Sequence, residues 1–260
     1  MNSLAAAFWA EILKAYRARI SLLTSAGFLL LPLAGGLFML ILKNPEQARS
    51  MGLISAKAQL TAGTADWPSF WMMQVQGMAI AGAILFALIT SWVFGREFSD
   101  HTAKEILALP TPRWAIVCAK FGTIALWTLA LTILVLIVGL GVGFAVAIPG
   151  WSADLTRTSA GTLLLTAILN LLLVPFVALF ASSGRGYLPP MGWTILISVF
   201  ANIVGVLGWG DWFPWTVPVL ASGMVKTQSV ELHSYIVLLL ASIAGFAATV
   251  YWWERADQTR

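Results

Sequence analysis

Six apolar blocks, at about 20 to 42, 70 to 94, 114 to 147, 160 to 182, 188 to 209 and 234 to 253, constrain this chain more than any other feature. Each is long enough for the roughly 20 residues that cross a hydrocarbon core. Inside lipid every backbone N–H and C=O needs an internal partner, so only helices and closed barrels span a bilayer. The blocks lack the two-residue alternation of barrel strands, and each is read as a helix. The expected fold is an all-α integral membrane protein, a single transmembrane domain over residues 1–260 with six spans and both termini on one side. Charge agrees, because only 10% of residues are charged against about 25% in soluble domains.

The ends of the blocks set the orientation. Lys14, Arg17, Arg19, Arg96, Lys104, Arg113, Lys120, Arg185, Arg255 and Arg260 fall on one side, and Lys43, Arg49, Lys57, Arg157 and Lys226 on the other. Basic residues concentrate in cytoplasmic loops, so ten against five puts both termini in the cytoplasm. The 15 basic residues are scattered, not gathered into the stripe that phosphate neutralisation needs, and nucleic acid is not an expected partner. Cys118 is the only cysteine, which excludes an intrachain disulfide and a cysteine-built metal site. The first apolar run exceeds the ~7–15 residues of a signal h-region, so it is expected to stay attached.

Residues 4 to 19 read as an amphipathic helix lying in the membrane surface. At 100° per residue Phe8, Trp9, Ile12, Leu13 and Tyr16 gather on one side while Glu11, Lys14 and Arg17 gather opposite. A short lead-in continuous with the first span is the plainer alternative. Trp71, Trp92, Trp114, Trp151, Trp193, Trp209, Trp252 and Trp253 fall near predicted span ends, where indoles favour the headgroup layer. Trp127 lies about 20 Å along the third helix at 1.5 Å per residue, and faces protein or a substrate path.

Within the spans, Gly139, Gly141 and Gly143 mark where the long third helix bends or is closely approached by a neighbour. Asn170 and Asn202 are the main mid-span polar groups; they serve interhelical hydrogen bonding or contact with a transported molecule. Pro175, just beyond Asn170, is expected to kink the fourth helix. Residues 210 to 233, with Trp212, Phe213, Pro214, Trp215 and Pro218, are too apolar for a free loop and read as a short re-entrant or interfacial element at the outer face.

Between the second and third spans runs Gly95-Arg96-Glu97-Phe98-Ser99-Asp100-His101-Thr102-Ala103-Lys104-Glu105-Ile106-Leu107-Ala108-Leu109-Pro110-Thr111-Pro112-Arg113, the most charge-dense stretch of the chain. It reads as a surface helix: Thr102 with Glu105 fits a capping box, and Pro110 disfavours helical geometry at Leu109. Phe98, Ile106 and Leu109 share one face, and Glu97, Asp100, His101 and Lys104 another. Such a helix between two spans either transmits force to a partner or merely caps the bundle.

The acidic start at Glu97, the Thr102 position, Ile106-Leu107, Leu109-Pro110, Thr111-Pro112-Arg113 and the later Lys120 resemble the cytoplasmic loop of the type-2 ABC permease family. Its members commonly show an acidic residue, then Gly-Thr, two leucines, a proline, Ser-Arg and a later lysine. Here His101 stands in place of the glycine and Pro112 in place of the serine. The resemblance implies the membrane subunit of an exporter in a bacterial cell membrane. It would pair with a second copy or a related permease, amid membrane lipids, and be bound by two copies of an ABC ATPase that hold ATP and Mg. Residues 97–109 would be the coupling helix, with Glu97, Phe98, Asp100, Thr102, Lys104, Glu105, Ile106 and Leu109 at the ATPase contact. Similarity to self-immunity and bacitracin-type permeases makes antibiotic efflux the leading expectation for cargo.

The chain itself has no Gly-x-x-x-x-Gly-Lys-[Ser/Thr] loop, so no nucleotide site is expected in it. Two other classes fit the sequence less well. An intramembrane enzyme needs convergent titratable groups, yet His101 and His233 fall in loops on opposite sides. An ion-coupled carrier or channel usually keeps ionisable groups inside its spans, and these spans hold almost none. A path without buried charge suits an amphipathic or apolar cargo, with Trp127, Asn170 and Asn202 as candidate pathway residues.

Overall fold

The structure is a computed structural model that describes residues 3–44, 46, 52, 64–102, 104–105, 108, 110–225 and 229–255. Six segments are long and apolar enough to cross a membrane, and among the described residues no strand occurs. The chain is an all-α, multi-pass membrane protein.

Helix α1 (Ser3–Arg17) stops where Ala18 turns extended (φ −86°, ψ 140°), and α2 (Arg19–Lys43) forms the first span. The second span runs from Trp67 to Ser99 as α3 (Trp67–Gly77), a π-helical turn (Met78–Gly82) and α4 (Ala83–Ser99). Asp66 caps its start, its Oδ1 accepting the Ser69 N–H at 2.9 Å, and Pro68 sits where a missing N–H costs nothing. Helix α5 (Arg113–Ala145) is the third span, unbroken over 33 residues. The fourth is split into α6 (Ala153–Leu171) and α7 (Val174–Ser183). Pro175 explains the split: it has no N–H for the carbonyl one turn earlier, so the helix gives way at Leu172–Leu173.

Helix α8 (Leu188–Val206) is the fifth span and α10 (Leu232–Arg255) the sixth. Between them come two 3-10 turns, Gly210–Trp212 and Pro214–Thr216, and the short α9 (Val217–Ala221). Gly210, Pro214, Thr216, Val217, Pro218 and Leu220 are buried there, so this apolar stretch packs against protein as its composition demands.

The core joins Phe28 of α2, Phe86, Ile89 and Phe94 of α4, Val117, Ile124 and Val135 of α5, and Trp253 of α10. A second cluster at the end away from the termini gathers Met39, Trp67, Phe70, Trp71 and Ile148. Gly139 and Gly143 on α5 allow it. A Cβ at Gly143 would overlap the Trp67 ring, and one at Gly139 would touch Trp71 at 3.7 Å, whereas Gly141 faces open space. Gly139 and Gly143 therefore serve close approach within an unbroken helix. Outside the bundle, Leu22, Leu30, Leu196, Val206 and Leu240 stand exposed, as lipid-facing positions do.

Two expectations are corrected. The polar side of α1 is split: Glu11 is 6% exposed and turned inward, Arg17 stays exposed, and Trp9 and Tyr16 are 63% and 84% exposed. Phe8, Glu11 and Ala15 form the stripe that packs on α5, because buried charges on neighbouring helices supply partners for Glu11 and Lys14. Trp71 and Trp253, near span ends, do not face outward; both are buried in the bundle, where large rings fill the gaps between helices.

Candidate functional site

Four charged side chains meet at the end of the bundle that carries the termini. Lys120 of α5, wholly buried, lies 2.8 Å from Glu97 Oε1 of α4 and 3.3 Å from Glu11 Oε2 of α1. Lys14 of α1 reaches the same Glu97 oxygen at 2.9 Å and Glu11 Oε1 at 2.6 Å. Lys120 also donates to the Val93 carbonyl at 2.9 Å and sits 5.7 Å from the centre of the Phe94 ring. Two carboxylates against two ammonium groups leave no net charge, which lets the group persist out of water. Removing one member strands its partner, at a cost of about 3–5 kcal/mol.

Burial works against the Glu11 carboxylate, but Lys120 and Lys14 beside it outweigh that and hold its pKa below the ordinary 4.5. Burial likewise opposes the Lys14 ammonium, and Glu97 and Glu11 outweigh it, raising its pKa above 10.5.

From this cluster the chain leaves the bundle. Helix α4 runs on through Ser99, so Glu97 and Phe98 belong to the second span rather than to a separate surface helix. Phe98 packs edge-on against Trp252 and Trp253 of α10, at 5.8 and 6.0 Å. The chain reverses at Asp100 and His101, and His101 takes φ 57°, the left-handed region that favours glycine. Glu105 then donates its N–H to the Thr102 carbonyl at 3.1 Å, opening a turn that includes Lys104 and Glu105. Asp100, His101, Lys104 and Glu105 are exposed. Ala103, Ile106, Leu107 and Leu109 lie outside the described residues. Because the reversal at Asp100–His101 interrupts the helix, Glu97 does not share a face with Lys104 as an unbroken helix would require.

Deeper in the bundle, the π-helical turn, α4, α6, α7, α8 and α9 line a half-open cavity of about 420 Å³. Asn170 and Asn202 both line it, together with Trp193, Thr194, Ser198 and Thr216. Its wall includes the π-helical turn of the second span and the break of the fourth. Asn170 ties the two interruptions, its Nδ2 donating to the Met78 carbonyl at 2.8 Å. Non-helical backbone at membrane depth is tolerated where it is covered by protein or lines a cavity. Asn202 makes no such tie and donates to the Ser198 carbonyl of its own helix at 2.9 Å. Trp127 is elsewhere, edge-on to Trp92 at 5.8 Å against the main core.

Sequence reading did not single out Glu11, Lys14 or the cavity-lining Trp193 as functional groups. Lys120 it had only as the distant lysine of the charged motif. An amphipathic projection of one helix cannot show that a charged face meets opposite charges on other helices.

The sequence profile of the family described as ABC-2 family transporter protein matches residues 7–202. A bacitracin transport permease protein of Bacillus licheniformis is 26% identical over 179 residues, covering 68% of this chain and 86% of that protein. No solved structure matches the chain.

Proposed function

The chain belongs to the ABC-2 transporter family, and we propose that it is the membrane subunit of an ATP-driven exporter for an amphipathic or apolar cargo. Antibiotics of the kind named for its Bacillus licheniformis relative lead the cargo classes. An ABC ATPase in two copies, holding ATP and Mg, would engage the segment from Asp100 to Leu109 on the cytoplasmic side, where both termini also lie. A second copy of this chain or a related permease would complete the membrane part.

One observation carries the coupling step. The segment is anchored at its root by the Glu97–Lys120 pair, which locks the ends of α4 and α5 together and includes α1 through Lys14. A push on Asp100, Lys104 or Glu105 is therefore delivered to three helices at once. The outward-facing Trp9 and Tyr16 support a contact of α1 with the headgroup layer.

The test is co-purification in mild detergent of the tagged chain with its ATPase. Asp100→Arg with Glu105→Arg, both at exposed positions, should abolish association while leaving the chain's own melting unchanged. Retention of the ATPase, or labelling of Asp100→Cys from outside the cell in a Cys118→Ala background, would sink the proposal.

A further inference from the structure

The cavity between the π-helical turn, α4, α6, α7, α8 and α9 has a chemistry of its own, and we propose that it binds an uncharged amphiphile through a neutral group that both donates and accepts hydrogen bonds, a carboxamide above all. The proposal deepens the exporter reading, and rests on it only where the bound molecule is identified as cargo.

Size comes first. At about 420 Å³ the cavity falls in the range of small-molecule sites, roughly 300–1,000 Å³. Among the described residues no ionisable side chain lines it. Against those residues a carboxylate or an ammonium would lose its water and meet no opposite charge, so an uncharged group is favoured.

The polar groups are few and two are unsatisfied. Asn170, 3% exposed, has its amide nitrogen committed to the Met78 carbonyl, and its Oδ1 is buried with no partner. Trp193 is held by stacking on Phe180 at 4.4 Å, and its Nε1–H is likewise buried without a partner. Two residues of the wall thus each hold a polar atom without a partner, one an acceptor and one a donor. Thr194 and Ser198 already donate to the Pro190 and Thr194 carbonyls, at 2.8 and 2.7 Å, and present only lone pairs to a ligand.

The complement of that wall is one acceptor for Trp193 and N–H or O–H donors for Asn170 and the hydroxyls. A primary or secondary amide supplies both on one uncharged group; an alcohol does so less fully. An ester has no donor, and an alkane has neither. The remaining lining, with Ile84, Val177 and Leu220, takes an apolar body.

The experiment uses the full chain in phosphatidylcholine nanodiscs and lauramide bearing a diazirine, with the corresponding alkane and laurate as comparisons. Lauramide should label peptides of α8 and saturate, with the alkane and laurate far weaker. Trp193→Phe, which keeps the stacked ring and removes the N–H, should weaken lauramide labelling about tenfold without changing the melting temperature. Equal labelling by the alkane, or unchanged lauramide labelling in Trp193→Phe, would overturn the proposal. ATP-dependent loss of lauramide from vesicles holding the chain with its ATPase identifies cargo. Saturable binding without such loss rejects cargo and identifies a resident lipid of the same chemistry. Lauramide binding that survives when no ATPase associates would remove the exporter reading and leave the cavity; intact association without lauramide binding would do the reverse.

Discussion

Glu97 and Lys120, the first and last residues of the charged motif between the second and third spans, form a buried ion pair with Lys120 Nζ 2.8 Å from Glu97 Oε1. Twenty-two residues lie between them in sequence, yet the motif closes on itself in space. What the motif sets is the anchorage of the segment as well as its contact surface.

Breaking the pair from one side should be costly. Lys120→Met leaves Glu97 with only the half-buried Lys14, its second oxygen being already buried without a partner, and should destabilise the chain by about 3 kcal/mol. Adding Glu97→Gln to it should cost less than the sum of the two single changes, because each then removes an interaction the other has already lost. Unfolding in detergent, followed as a double-mutant cycle, measures the coupling; additive losses would refute it.

The docking of α1 should have a flat pH window with two edges. Glu11 has a lowered pKa, so its contribution is complete above 4.5 and fades as pH falls through the folded value. Lys14 has a raised pKa, so its contribution is complete below 10.5 and fades as pH rises through the folded value. A spin label at Trp9→Cys, in a Cys118→Ala background, should report constant mobility between these limits and rising mobility beyond either.

His101 occupies a left-handed conformation at φ 57°, in the position where the family commonly has glycine. His101→Gly should relieve about 1 kcal/mol of backbone strain. The gain is partly offset by the wider freedom of glycine in the unfolded chain. A melting temperature that falls would contradict the assigned turn.

Glycines on two neighbouring spans should respond oppositely. Gly143→Ala drives a methyl group into the Trp67 ring and should cost about 1–3 kcal/mol. Gly161→Ala, in mid-helix with open space around it, should stabilise by about 0.5–1 kcal/mol. Thermal unfolding of the two variants side by side decides it.

Much of this architecture is legible in the sequence because lipid imposes one rule on every span. Apolar length located all six crossings, and Pro175 located the break in the fourth. Asn170 stood out as a polar group in a place where polarity is expensive, and it lines the cavity. The π-helical turn at Met78–Gly82 left no such mark, since its residues are ordinary helix formers in an apolar run. The direction of α1 was misread for a physical reason: amphipathicity separates two faces but does not say which one finds partners. Glu11 and Lys14 turn inward because Glu97 and Lys120 wait there, and those two are brought together only by tertiary packing.

That four-member cluster also bears on how the chain enters a membrane. Lys14 and Lys120 count among the cations that bias the loops toward one side, and in the finished protein both are matched by carboxylates. Insertion machinery responds to lysine and arginine and hardly to acidic residues. The same two ammonium groups can therefore act as sorting marks while the nascent polypeptide is being threaded, then become fasteners once its helices meet.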